Sequence, residues 1–81
     1  MSNNLSANPS QEDMKELENL YNLKQFLALE NKAGQLLKKY SKNVNLQNIL
    51  GIAFQAQGKL KDSIEIFEKV IKLKPNYYLA Y

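Results

Sequence analysis

Between Leu46 and Pro75, apolar side chains recur three and four residues apart on both sides of a glycine, Gly58, and the pattern stops at a proline. That spacing gathers apolar residues into one stripe along an α-helix, and a short glycine-bearing break between two such stripes turns the chain back on itself. The stretch predicts a helical hairpin. Its first helix runs to about Gln57 with Leu46, Ile49, Leu50, Ala53 and Phe54 as the apolar set and Ile52 and Ala56 to the side. Its second spans about Leu60 to Leu73, with Leu60, Ile64, Phe67, Val70 and Ile71 expected on the inner face. Gly58 suits a left-handed ending of the first helix, and Pro75 terminates the second.

The same period runs upstream. Ser10 is a plausible N-cap for a helix over Ser10 to Leu23, followed by the acids Glu12, Asp13 and Glu16, which complement the positive end of the helix dipole. Met14, Leu17, Leu20 and Tyr21 share its apolar face. A second helix is expected over Gln25 to Tyr40, carrying Phe26, Leu29, Ala33, Leu36, Leu37 and Tyr40. Gly34 inside it costs about 1 kcal/mol relative to alanine, which suggests that its missing side chain allows close packing. Lys38, Lys39 and Lys42 gather where cations favour the C-terminal carbonyls. Ser41 to Asn45 is a polar connector in which Asn43 or Asn45 can cap the next helix. Residues 1–9 are expected to be a disordered leader, and Asn76 to begin a further helix with Tyr77, Tyr78, Leu79, Ala80 and Tyr81 in its first turn.

Sliding the chain on itself by 34 residues pairs Leu20 with Phe54, Phe26 with Leu60, Ala33 with Phe67, Leu36 with Val70 and Leu37 with Ile71. Hydrophobic character repeats although identity barely does. The residues Leu50, Gly51, Phe54, Gly58, Leu60, Ser63, Phe67 and Pro75 stand in an order and spacing that resembles the tetratricopeptide repeat, and a unit from Val44 to Tyr77 has that family's period. Gln47 stands where the family often has tryptophan, and Ser63 where alanine is usual. Residues 10–43 read as a divergent first repeat, 44–77 as the second, and 78–81 as the start of a third repeat or a capping helix.

The resemblance implies an all-α fold, a right-handed superhelical stack of antiparallel helix pairs with two repeats and the start of a third. Gly51 would let two helices approach, Phe54 and Phe67 would fill the space between them, and Ser63 would lie at the crossing. The resemblance also implies a concave groove lined by the first helix of each pair, here Met14, Glu18, Tyr21 and Asn22 with Asn48, Ile52, Gln55 and Ala56. Tyr21 and Ile52 would be apolar anchors, and Asn22, Asn48 and Gln55 would bond a partner's backbone. Met14, Glu18 and Ile49 occupy the places where some family members clamp chaperone tails with lysine and asparagine, so that specificity is not expected.

Composition narrows the function further. The 81 residues include no Cys, His, Arg, Thr or Trp, which removes thiolate chemistry, histidine relays and disulfides. The pairs Asp13/Glu16 and Glu65/Glu68 are explained by helical spacing, and no segment has the ligand spacing of a calcium loop. Gly51 through Gly58-Lys59 is two residues too long for a phosphate loop and is followed by Leu60 where that motif needs Ser or Thr. No enzyme activity, cofactor or metal is expected. The first residues lack the pattern of a secretory signal and no apolar run is long enough to span a bilayer, so a soluble cytoplasmic protein is expected. Net charge is +3, distributed as −3 up to Leu23 and +6 beyond, with lysine as the sole basic residue.

The leading expectation is a protein–protein interaction module, a scaffold or adaptor that takes a peptide or partner helix in its groove. Without a capping helix its C-terminal face would stay apolar and either continue into further sequence or self-associate. A second reading, also by resemblance, is the accessory N-terminal repeat region of a larger bacterial transferase of the sulfotransferase or glycosyltransferase type. A weaker one is nucleic-acid association through Lys38, Lys39, Lys42, Lys59 and Lys61. The Lys/Asn-rich, arginine-free composition fits an AT-rich bacterial or phage genome.

Overall fold

The computed structural model describes residues 8–73. Four helices follow one another, α1 (Gln11–Asn22), α2 (Phe26–Lys39), α3 (Val44–Ala56) and α4 (Leu60–Leu73), with no strand among the described residues. The protein is all-α, and each helix packs on the next. Tyr21 near the end of α1 meets Phe26 at the start of α2, and Phe26 and Glu30 near the start of α2 meet Gln57 just past α3. Asp13 near the start of α1 also meets Lys32 farther along α2, and Gly51 of α3 meets Ile66 and Phe67 in mid-α4, so neighbouring helices run in opposite directions.

Helices α1 and α3 begin where a side chain satisfies a free amide, whereas α2 begins after Gln25 without a side-chain cap. Ser10 Oγ accepts the Asp13 N–H at 3.0 Å, and Asn43 Oδ1 accepts the Leu46 N–H at 2.9 Å, each relieving one of the unpaired donors that a helix start leaves. Asn43 rather than Asn45 thus caps α3. Asn8 and Pro9, grouped with the leader on sequence grounds, are placed: Pro9 is buried, and Asn43 Nδ2 donates to Asn8 Oδ1 at 3.1 Å. Residues 1–7, Pro75 and the helix expected from Asn76 lie outside the described residues.

The two interhelix turns are copies of one another. After α1, Lys24 adopts φ 60°, and after α3, Gly58 adopts φ 81°. Gln25 N–H donates to the Leu20 carbonyl and Lys24 N–H to Tyr21, while Lys59 N–H donates to Phe54 and Gly58 N–H to Gln55. Each pair is offset by the 34 residues at which the hydrophobic pattern repeats. The bond from the residue after the left-handed position back to the fifth residue before it closes a Schellman-type ending. The turn is therefore the element in which the repeat is most nearly conserved, although only one copy has glycine.

Packing centres on Leu17, Leu29, Ala33, Leu36, Leu46 and Ala53, with Met14, Leu20, Phe26, Leu37, Tyr40, Ile49 and Leu50 around them. Gly51 is buried against α4: a Cβ there would lie 2.5 Å from Phe67 Cε1 and 2.8 Å from Ile66 Cγ2. Ser63 is buried and donates its hydroxyl to the Leu60 carbonyl at 2.8 Å.

Two expectations are corrected. The inner face of α4 is Ser63, Ile66 and Val70, with Phe67 half-buried, whereas Leu60 and Ile64 are 58% and 55% exposed. The Gly51 notch receives Ile66 and Phe67 and fixes this rotation of the helix. Gly34 permits no close approach, since a Cβ there would meet nothing within 4 Å. Gln47 is also buried, its Nε2 donating to the Ser41 carbonyl at 2.8 Å.

Candidate partner-binding groove

A cavity of about 350 Å³ opens between α1 and α3, over the start of α2. Met14, Leu17, Glu18 and Tyr21 come from α1, Leu29 from α2, and Ile49 and Ile52 from α3. Helical spacing explains the grouping, because residues three and four apart stack on one face. The walls are apolar apart from Glu18, the one ionisable carboxylate of the lining, and Tyr21, which is half exposed at the rim. The Tyr21 ring is held edge-on to Phe26 with centroids 6.1 Å apart.

Four of the eight residues expected in the groove, Met14, Glu18, Tyr21 and Ile52, line this cavity. Asn22, Gln55 and Ala56 are exposed outside its lining. Asn48 is half-buried, and its Oδ1 is buried with no hydrogen-bond partner among the described residues. Gln47 Oε1 is in the same condition. Leu17 and Leu29 line the cavity although the sequence marks them only as core, and Ile49, at one of the clamp positions of the resemblance, lines it too. Leu17 and Leu29 are buried core residues that form the floor of the hollow, and periodicity carries no signal that separates a core residue under an open groove from one under a closed helix.

Polar contacts hold the groove's frame. On α2, Lys32 Nζ lies 3.1 Å from Asp13 Oδ1 and 3.2 Å from Glu16 Oε1, tying α1 down. The hydrogen bond from Lys32 holds the Asp13 carboxyl below its ordinary range, and the bonds to Asp13 and then Glu16 raise the Lys32 ammonium. At the other end, Glu30 Oε1 accepts from Lys59 Nζ at 2.9 Å and from Gln57 Nε2 at 2.8 Å. Those two donors, Lys59 first, hold the Glu30 carboxyl below its ordinary value. Lys59 also lies over the Phe54 ring, 5.9 Å from its centroid. One lysine of the proposed nucleic-acid set is therefore already engaged.

A second hollow, about 420 Å³, lies between α2 and α3 on another side, with Leu50 and Phe54 as its apolar part and Glu30, Asn31, Gln35 and Lys38 around them. Gly34 lines it. Among the described residues no cluster of three metal-ligating side chains occurs, and no helix is long and apolar enough to cross a membrane. No family model matches the chain, and no curated protein or solved structure matches it.

Proposed function

We propose that the protein is a protein–protein interaction module of tetratricopeptide-like construction. In this reading the helix pairs stack as a right-handed superhelix with a third repeat begun after Pro75, and the α1–α3 groove receives a short peptide or one face of a partner helix. The observation that carries it is the groove itself, an apolar hollow bordered by one carboxylate and a half-exposed tyrosine. A hollow of this size takes one or two large aliphatic side chains, and apolar anchors in such hollows dominate binding energy at interfaces. Glu18 favours a partner that carries a lysine or arginine next to its anchor. The module supplies no chemistry of its own, and its specificity lies in which side chains fit between Tyr21, Ile49 and Ile52.

The test is an NMR titration with an amphipathic helical peptide bearing leucines at i, i+3 and i+4 and one flanking lysine. Shifts should concentrate at the methyl groups of Met14, Ile49 and Ile52. The Ile52→Glu variant should weaken binding by roughly tenfold or more, because it places a charge where the anchor must be desolvated. Peptide shifts that avoid the groove, or equal affinity for wild type and Ile52→Glu, would sink the assignment.

A further inference from the structure

The α4 helix carries more apolar surface than the other described residues cover. Ser63, Ile66 and Val70 face the core, yet Leu60, Ile64, Phe67 and Ile71 form a second stripe about a quarter-turn away, at spacings of four, three and four. Leu60 and Ile64 are more than half exposed, and Phe67 and Ile71 are half-buried. Spacings that alternate between three and four are those of a coiled-coil seam. No groove residue comes from α4, so this face is separate from the proposed binding site.

We propose that a second copy of the chain covers this seam, with the two α4 helices packed antiparallel about a two-fold axis. In that arrangement Leu60 of each copy lies against Ile71 of the other, and Ile64 against Phe67, which gives four closed apolar layers. The charges beside the seam choose the occupant. Lys61 and Glu68 both follow a seam residue on the side away from α3, both are exposed, and neither has an ion-pair partner among the described residues. The two-fold brings Lys61 of one copy beside Glu68 of the other, and it does so twice. A parallel pairing loses this match, since it sets Ser63 and Val70, already buried against α3, across from Glu68 and Lys61. The seam is thus complementary to itself in one orientation, as a two-fold interface must be. It is also short, at the small end of stable interfaces, so the dimer is a weak one with a dissociation constant in the micromolar range.

Sedimentation of the full 81-residue chain over a roughly hundredfold concentration range reads the equilibrium directly. The expected result is a reversible monomer–dimer equilibrium. Lys61→Glu alone and Glu68→Lys alone each raise the dissociation constant about tenfold, by turning two attractions into two repulsions, and the double variant returns it to within about twofold of wild type. Ile64→Ser, on the surface of the monomer, abolishes dimerisation while the far-ultraviolet circular dichroism stays helical. A chain that is monomeric at every concentration overturns the proposal, whether residues 74–81 or an unlike partner then covers the seam. So does a dimer whose stability ignores the single charge reversals, or one that the double variant fails to restore.

Discussion

At the scale of single residues, the two left-handed turn positions form an internal experiment. Lys24 and Gly58 occupy equivalent places with φ of 60° and 81°, but a side chain with a Cβ is disfavoured there by about 1–2 kcal/mol. Lys24→Gly should therefore stabilise the fold, by about 0.5 kcal/mol once the greater freedom of glycine in the unfolded chain is subtracted. Gly58→Ala should destabilise it by about 1 kcal/mol. Urea titration followed by circular dichroism gives both numbers, and shifts of the same sign at the two positions would refute the equivalence of the turns. The glycines inside helices divide by a different criterion, which is space. At Gly51 a methyl group would press on Phe67 and Ile66, so Gly51→Ala should cost about 1–3 kcal/mol. Gly34 faces open space within a helix, so Gly34→Ala should add about 1 kcal/mol of stability. A destabilised Gly34→Ala would mean that the hollow beside Leu50 and Phe54 is filled in solution.

At the scale of elements, helix existence and ends could be read from the chain because local chemistry sets them. Ser10 and Asn43 cap, Gly58 turns, and each apolar stripe has a 3.6-residue period. Asn43→Ala should cost about 1 kcal/mol, visible as a lower denaturation midpoint with an unchanged slope. Helix rotation was less legible. The apolar residues of α4 cover almost half its circumference, and the sequence placed Leu60 and Ile64 inward where the structure buries Ser63 and Ile66. What decides between the two settings is a notch on another helix, Gly51, and one helix's periodicity contains no information about its neighbour's surface. The groove divides in the same way: Met14, Glu18, Tyr21 and Ile52 are expected there only from the resemblance to a repeat family, whereas Leu17 and Leu29, core residues by their periodicity, line it as well. The Glu30–Gln57–Lys59 cluster joins residues distant in sequence and left no local trace.

At the scale of the whole molecule, that cluster links the first helical pair to the turn of the second, and its protonation couples their stability to pH. The folded state holds the Glu30 carboxyl below its ordinary 4.5, so as pH falls the unfolded chain takes up the proton first. The stabilisation is therefore complete above pH 4.5 and disappears as pH drops through the lower folded value. The Glu30 side chain is 22% exposed and its Lys59 partner 41%, which places the pair nearer to a solvent-screened bridge than a buried one. Glu30→Gln should then lower stability near pH 7 by about 0.5 kcal/mol, and by less in high salt. Asp13 is also depressed, by Lys32, and its contribution follows the same acid limb; Lys32 itself is raised, so its share is present below pH 10.5 and lost as pH climbs through the folded value. Comparing Glu30→Gln with wild type across the acid range isolates the link between the pairs, because the Asp13 contribution is common to both. The two stability curves should converge as pH falls below 4.5 and remain separated above it. Parallel curves throughout would show that the carboxylate is not held by Lys59 and Gln57, and that the pairs are joined by apolar packing between α2 and α3 alone.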